Sequence, residues 1–236
     1  MKYTLTRWRA YTLATVLLIG FIFAACAHAG RVIGDDGFMG STLSLGGSVW
    51  RAHQNDGDDA FVWEELTGDI AIEPELGVGG SFADGLFSFD IGSPDPSFLE
   101  PIGRRFLYGD DSEEGFLPGA SEFFRNLRID HPETPSAMLV AFRTDSGDSF
   151  FRGHFTETET HVVVYVYVER DVTLAADGST VDIWGLSHVS DGFEVTMRAG
   201  WNALYNVQET VTADRIVMWS ISMGNPAHLR WMLNIE

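Results

Sequence analysis

The segment 156–168 has the most regular alternation of side chains in the chain. Every second position carries threonine and then valine, and the positions between them carry Glu157, Glu159, His161, Val163, Tyr165 and Tyr167. Successive side chains of a strand point to opposite faces, and β-branched and aromatic residues suit a pleated surface. The pattern therefore predicts a strand whose valine face, with Val162, Val164 and Val166, is buried.

Shorter stretches of the same alternation recur on both sides of this segment. They lie at 41–50, 69–73, 86–91, 137–142, 149–155, 172–174, 181–186, 193–197, 201–207, 217–223 and 229–235. Asp145-Ser146-Gly147-Asp148 and Asp177-Gly178 have the composition of hairpin turns. Together these patterns predict an all-β fold, an antiparallel β-sandwich or partly closed barrel of about ten strands.

The alternation stops between residues 93 and 135, where six prolines make a continuous sheet implausible. Ser121 is placed to cap one short helix over 122–128. Arg104 and Arg105, with Tyr108, are conspicuous because the chain has few cations, and loops on a rigid scaffold often carry recognition. The alternative is a lid on the core, packed through Phe98, Phe106, Phe116, Phe123 and Phe124.

The first 25 residues have the layout of a secretory signal. Lys2, Arg7 and Arg9 precede an uncharged run at 10–25, which predicts a signal helix too short for a convincing membrane span. The only cysteine, Cys26, follows at the processing position. Phe23-Ala24-Ala25-Cys26 resembles the lipobox of bacterial lipoproteins, with Phe23 where an aliphatic residue is usual, and the resemblance implies lipidation of Cys26.

Ordinary cleavage after Ala29 is the alternative, because Ala27-His28-Ala29 has the form of a secretory cleavage site and would release a periplasmic or secreted protein. We therefore expect a signal peptide at 1–25, a glycine-rich tether at 26–40 and a β-domain at 41–236. The domain would be held at the bacterial cell envelope, on the outer membrane or cell surface, by an N-terminal lipid.

Composition excludes several classes of function. Removal of residues 1–25 takes away three of the 15 cations and none of the 34 acids, which leaves a formal charge of 12 − 34 = −22. Such a chain repels phosphate backbones, so we expect no nucleic-acid partner. Lys2 is the only lysine, which excludes Schiff-base chemistry and a phosphate-binding P-loop in the processed protein. With Cys26 acylated, no thiol remains for catalysis or metal binding.

The segment 195–205 contains Gly200-Trp201-Asn202 between two strand patterns. It resembles a strand motif of β-rich surface lipoproteins of spirochaetes and Bacteroidetes, as does the leading strand at 41–49. The resemblance implies a location and a fold. It implies no chemistry, because these families mostly lack an assigned activity.

No motif predicts a catalytic, metal or cofactor site. Asp145-Ser146-Gly147 has the letters of an aspartic protease turn, but it has no second copy and no apolar residues before it. The acidic clusters at 35–36, 56–59 and 110–114 lack EF-hand spacing, and the histidines are dispersed, so a zinc site would have to be assembled by the fold. Gly-x-Ser-x-Gly is absent.

Aromatic platforms on β-sandwiches often bind sugars, so the six tryptophans that follow the predicted signal bear on function. Trp201, Trp219 and Trp231 are in phase with aliphatic residues and are expected in the core, whereas Trp50, Trp63 and Trp184 are candidates for exposure. The primary hypothesis is a non-enzymatic interaction or structural domain with a protein or glycan ligand. A carbohydrate-binding module is the alternative, and a hydrolase assembled in space is less favoured.

Overall fold

The computed structural model describes residues 36–54, 61–65, 70–75, 78–83, 86–104, 126–143, 149–156, 158–183, 186–211 and 216–233. Within these ranges the chain forms seventeen strands and a short 3-10 helix, Pro96–Phe98, and residues 102–104 are also helical. The strands are β1 Phe38–Gly40, β2 Leu43–Gln54, β3 Phe61–Glu65, β4 Ile70–Glu75, β5 Val78–Ala83, β6 Leu86–Ile91, β7 Glu100–Pro101, β8 Arg128–Ile129, β9 Pro135–Leu139, β10 Phe142–Arg143, β11 Ser149–Phe155, β12 Glu159–Val168, β13 Val172–Ile183, β14 Leu186–Met197, β15 Gly200–Val211, β16 Ile216–Met223 and β17 Arg230–Leu233.

The strands join into a large mixed sheet that does not close on itself. Its pairings are mostly antiparallel, but β14 pairs with β16 and β17 pairs with β2 in parallel. The all-β prediction is confirmed. The strand count exceeds the expectation partly because β7, β8 and β10 have only two residues each, too few to show a period.

Strand β12, the strand predicted from alternation, lies at the centre. One edge pairs with β15 along its whole length, and the other pairs first with β11 and then with β9. The valine face is buried as predicted, with Val166 fully inaccessible. The opposite face is buried too, because Val163 and Tyr165 are only 0% and 2% exposed. The strand therefore separates two cores.

One core joins β2 and β6 to the tyrosine face of β12. Phe87 packs edge-on against Trp231, and Tyr165 stacks against the same tryptophan. The second core joins β13 and β14 to the valine face through Leu174 and Met197. Trp201, Trp219 and Trp231 are all buried, as the sequence predicted.

The prediction of a hairpin turn at Asp177-Gly178 is wrong. Strand β13 continues through this dipeptide, pairs with β14 up to Ile183, and the two strands are joined at residues 184–185. A side chain at Gly178 would approach the Ser190 carbonyl oxygen to 2.8 Å, and Gly192 has a φ of 96°. The two halves of this hairpin pack in different clusters, because Leu174 lies in one cluster and Val181 lies in another with Val217 and Trp219.

The end of the predicted tether belongs to the folded domain. Residues 38–40 form β1 and pair with β15, and Gly37 has a φ of 68°. A Cβ at Gly37 would lie 2.6 Å from the Ala203 carbonyl oxygen, so this glycine serves close packing. Residues 26–35, the signal at 1–25 and Cys26 lie outside the described residues.

The proline-rich segment 93–135 is described at its two ends. Arg128 lies in β8, so the predicted helix does not extend to 128, and residues 121–125 lie outside the described part. Strands β10 and β11 pair around 144–148 as the predicted hairpin requires, although the turn itself is not described. No helix within the described ranges is long and apolar enough to cross a membrane.

Candidate functional site

Of the residues predicted for binding, the structure describes Arg104 and the side chain of Trp50. Arg104 is exposed, and Trp50 is half-buried with the Arg230 guanidinium 4.3 Å above its ring centre. Trp63 lies in β3, but its side chain is not described. The remaining predicted positions, Arg105, Tyr108, Trp184 and Cys26, lie outside the described residues.

The two ends of the excursion are held together in a neck. Strand β7 pairs with β9, and the amides of Ile102 and Gly103 donate hydrogen bonds of 2.8 Å to the carbonyls of Thr134 and Pro132. Ile102 is fully buried in the second core. Phe98, expected to anchor a lid, is instead 42% exposed. The described part of the chain ends at Arg104, next to this neck, and resumes at residue 126, ahead of β8, which pairs with β13.

The fold brings three histidines together near Glu159, at the start of β12, whereas the neck lies near Val168 at its end. His154 on β11 pairs directly with His161 on β12, and their ring centres are 5.7 Å apart. His228, from the segment between β16 and β17, has its ring centre 6.1 Å from that of His161. These residues, with Glu159 and Tyr205, form what we name the histidine cluster.

His161 is the centre of the cluster and is hydrogen-bonded through both ring nitrogens. Its Nε2 lies 3.1 Å from a Glu159 carboxylate oxygen, and its Nδ1 contacts the Tyr205 hydroxyl. A neutral imidazole with its proton on Nε2 satisfies both contacts, because Nδ1 then accepts from the tyrosine. The side chain of His161 is only 15% exposed, so these contacts fix the ring.

The segment 224–229, which we name the cover loop, lies beside the cluster over the first core. The Gly224 amide donates to the Ala203 carbonyl at 2.9 Å, and Arg152 Nη2 donates to the Pro226 carbonyl at 3.4 Å. The Tyr165 hydroxyl donates to Asn225 Oδ1 at 3.5 Å. Leu229 ends the loop in the core.

The surroundings of the cluster favour the uncharged forms of His154 and Tyr205. Burial lowers the pKa of His154, and the imidazoles of His161 and His228 lower it further, against a smaller opposite effect of Glu159. Burial raises the pKa of Tyr205, and the Glu159 carboxylate adds to that rise. Both groups are therefore favoured in their uncharged forms.

Tyr165, which contacts the cover loop, is likewise favoured in its uncharged form. Burial raises the pKa of Tyr165 to about 12. The Arg152 guanidinium lies 5.9 Å from the ring centre of Trp231, and its Nε is buried without a hydrogen-bond partner. The Tyr165 hydroxyl is therefore un-ionised at neutral pH and acts here as a hydrogen-bond donor.

The cluster does not have the geometry of a metal centre. Among the described residues, no group of three His, Cys, Asp or Glu is arranged to hold a metal ion. His161, the central imidazole, has no free ring nitrogen to offer. The described acid of the 35–36 cluster, Asp36, is engaged by Arg198 and by the Phe38 amide. The other acidic clusters and Asp145-Ser146-Gly147 lie outside the described residues.

Sequence inspection missed the cluster because it treated the histidines as dispersed. The sequence does contain a signal for one of these contacts. A hairpin turn at 156–159 sets residue 155 opposite residue 160, and one step further along each strand it sets His154 opposite His161. The approach of His228 had no such signal. It comes from a segment 67 positions beyond His161 and depends on the packing of β17.

Comparison of the chain with known protein families, with curated proteins and with solved structures finds no match.

Proposed function

We propose that this protein is a lipoprotein of the bacterial cell envelope, anchored through Cys26, whose β-domain serves in interaction or structure rather than catalysis. The observation that carries the proposal is the position of the first described strand, which lies close in sequence to Cys26 and is paired within the sheet. Strand β1 is paired with β15 from Phe38 onward. The proposed lipid is therefore attached close to a fixed strand, with only residues 26–35 before the first described residue.

The start of the described chain is clamped by several groups. Asp36 forms an ion pair with Arg198, whose guanidinium also lies 4.4 Å from the Phe38 ring centre. The Ala203 amide donates to the Gly37 carbonyl at 2.7 Å. An extended chain spans at most about 3.5 Å per residue, so the clamp would lie within roughly 35 Å of the lipidated cysteine. Such an anchor would keep the whole domain at the membrane surface.

The contacts of the histidine cluster support a structural role over a catalytic one. A general acid or base needs a free proton position directed at a substrate, whereas both nitrogens of His161 are used within the protein. A nucleophilic tyrosine needs a lowered pKa, but the pKa of Tyr205 is raised by burial. The cluster thus resembles a fastening between β11, β12, β15 and the cover loop.

The neck supports an interaction role for the excursion. Its buried Ile102 and the pairing of β7 with β9 provide the rigid support from which recognition loops usually project. Arg104 is exposed directly beyond this support. We propose a protein ligand contacted from this end of the domain.

Metabolic labelling with an alkyne-tagged palmitate tests the anchor. The wild-type protein should be labelled in a bacterium that processes lipoproteins, and Cys26→Ser should abolish the label because the thiol is the acceptor. Ala29→Asp serves as the matched control, since it blocks only the alternative cleavage after Ala29 and should leave labelling intact. A labelled Cys26→Ser protein, or an intact mass corresponding to an unmodified chain that begins at Gly30, would refute the anchor.

Carbohydrate binding remains the alternative. Trp50, the candidate tryptophan whose side chain the structure describes, argues against it. One face of Trp50 is covered by Arg230, which leaves less of the ring for a sugar. A glycan array separates the alternatives, because a sugar-binding module retains its ligand saturably and without consuming it, whereas a hydrolase consumes it. Saturable glycan binding that Trp50→Ala abolishes would favour the alternative.

A further inference from the structure

Three imidazoles lie between the cover loop and the body of the sheet in the histidine cluster, and imidazoles gain positive charge on acidification. Protons enter imidazoles between pH 5 and 8, the range in which histidine switches operate. His228 is the only ionisable residue of the cover loop, and its ring lies against His161. The ring of His154 also lies beside that of His161. Charging these rings places like charges about 6 Å apart.

The surrounding charges only partly compensate. The acids that face the cluster are Glu159, in contact with His161, and Glu209, which pairs with Glu159 across β12 and β15. Arg230 is close enough to oppose charge on His154, and Arg152 lies two residues from His154 on the same face of β11. The tyrosines Tyr165 and Tyr205 are un-ionised throughout this pH range.

Two of the hydrogen bonds between the cover loop and the sheet are long. Those of Arg152 to Pro226 and of Tyr165 to Asn225 measure 3.4 and 3.5 Å, whereas the bond of Gly224 to Ala203 has a typical length. We propose that the histidine cluster is an acid-sensitive latch, which holds the cover loop closed at neutral pH and releases it from β11 and β12 when the imidazoles become charged.

The direction of the pH dependence follows from proton linkage. The pKa of His154 is lower in the closed structure than in an unfolded chain, where it is about 6.5. The closed state therefore binds fewer protons than a state in which His154 is more exposed and further from His228. The stability of the closed state relative to that open state consequently falls as the pH falls through the range in which imidazoles bind protons.

Hydrogen exchange measured by mass spectrometry at pH 7.5 and 5.5, with rates corrected for the intrinsic effect of pH, tests the latch. The protection factors of amides in 224–229 should fall about tenfold at pH 5.5, the effect of one like-charge pair about 6 Å apart at a dielectric between those of water and a protein surface. A peptide covering 162–168 in β12 should keep its protection, which separates local release from unfolding.

Three variants make the test specific. His228→Gln should remove most of the fall, because it deletes the charge on the loop. His131→Gln is the matched control, since His131 is exposed near Glu133 and Arg170, away from the cluster, and its replacement should change nothing. Glu159→Gln should enlarge the fall at pH 5.5, because it removes a carboxylate that partly offsets the repulsion among the charged rings. An unchanged fall in His228→Gln, no fall in the wild type, or an equal loss in β12 would overturn the proposal.

Discussion

Strand β12 is buried on both faces, and matched substitutions on the two faces measure this directly. Val163 and Val164 are adjacent, 0% and 5% exposed, and belong to different cores. Valine to alanine removes two methyl groups, each worth about 0.8 kcal/mol, and the cavity left behind adds to the cost. We expect Val163→Ala and Val164→Ala each to lower the free energy of unfolding by about 2–3 kcal/mol.

Urea denaturation, followed by far-UV circular dichroism on the chain lacking residues 1–26, gives both values. Ser222→Ala, at an exposed position on β16, is the control and should change stability by less than about 0.5 kcal/mol. If the strand had one buried face, Val164→Ala would be costly and Val163→Ala would resemble the control. That outcome would refute the two-core arrangement.

Two further predictions concern the N-terminal clamp and the buried tyrosine. Gly37→Ala should cost about 2 kcal/mol or more, because its Cβ would collide with the Ala203 carbonyl at a positive φ, whereas Gly92→Ala meets nothing within 4 Å and should be nearly neutral in thermal unfolding. The pKa of Tyr165 is raised to about 12, so the folded state holds this proton more tightly and loses stability as pH rises from 10 to 12, by up to about 3 kcal/mol. Tyr165→Phe should remove this alkaline loss in urea titrations at pH 8 and 11; an equal loss in the variant would contradict it.

The sequence predicted the parts of the fold that depend on one strand at a time. The valines at 162, 164 and 166 alternate, so their shared face follows from strand geometry alone. Their burial, and that of Trp201, agrees with the structure. The apolar content of the other face, with Val163 and Tyr165, also indicated burial in retrospect, because buried strands carry apolar side chains on both sides.

Turn composition alone misplaced one hairpin. Asp177-Gly178 has the signature of a two-residue turn, yet it lies within β13 opposite Gly192. Glycine is required there because the paired strands approach closely, and composition does not distinguish that need from a turn. The glycines of the predicted tether were ambiguous for the same reason, since Gly37 serves close packing against Ala203.

The candidate site was decided almost entirely by tertiary structure. His154 and His161 meet through the register of one hairpin, which a sequence can suggest, but His228 reaches them only because β17 pairs with β11. Alternation specifies which side chains share a face of a strand, and it carries no information about which distant strand lies alongside. That choice depends on the combined burial of many side chains from separate segments, so the sequence determined the strands and their buried faces, whereas the tertiary structure alone determined the histidine cluster.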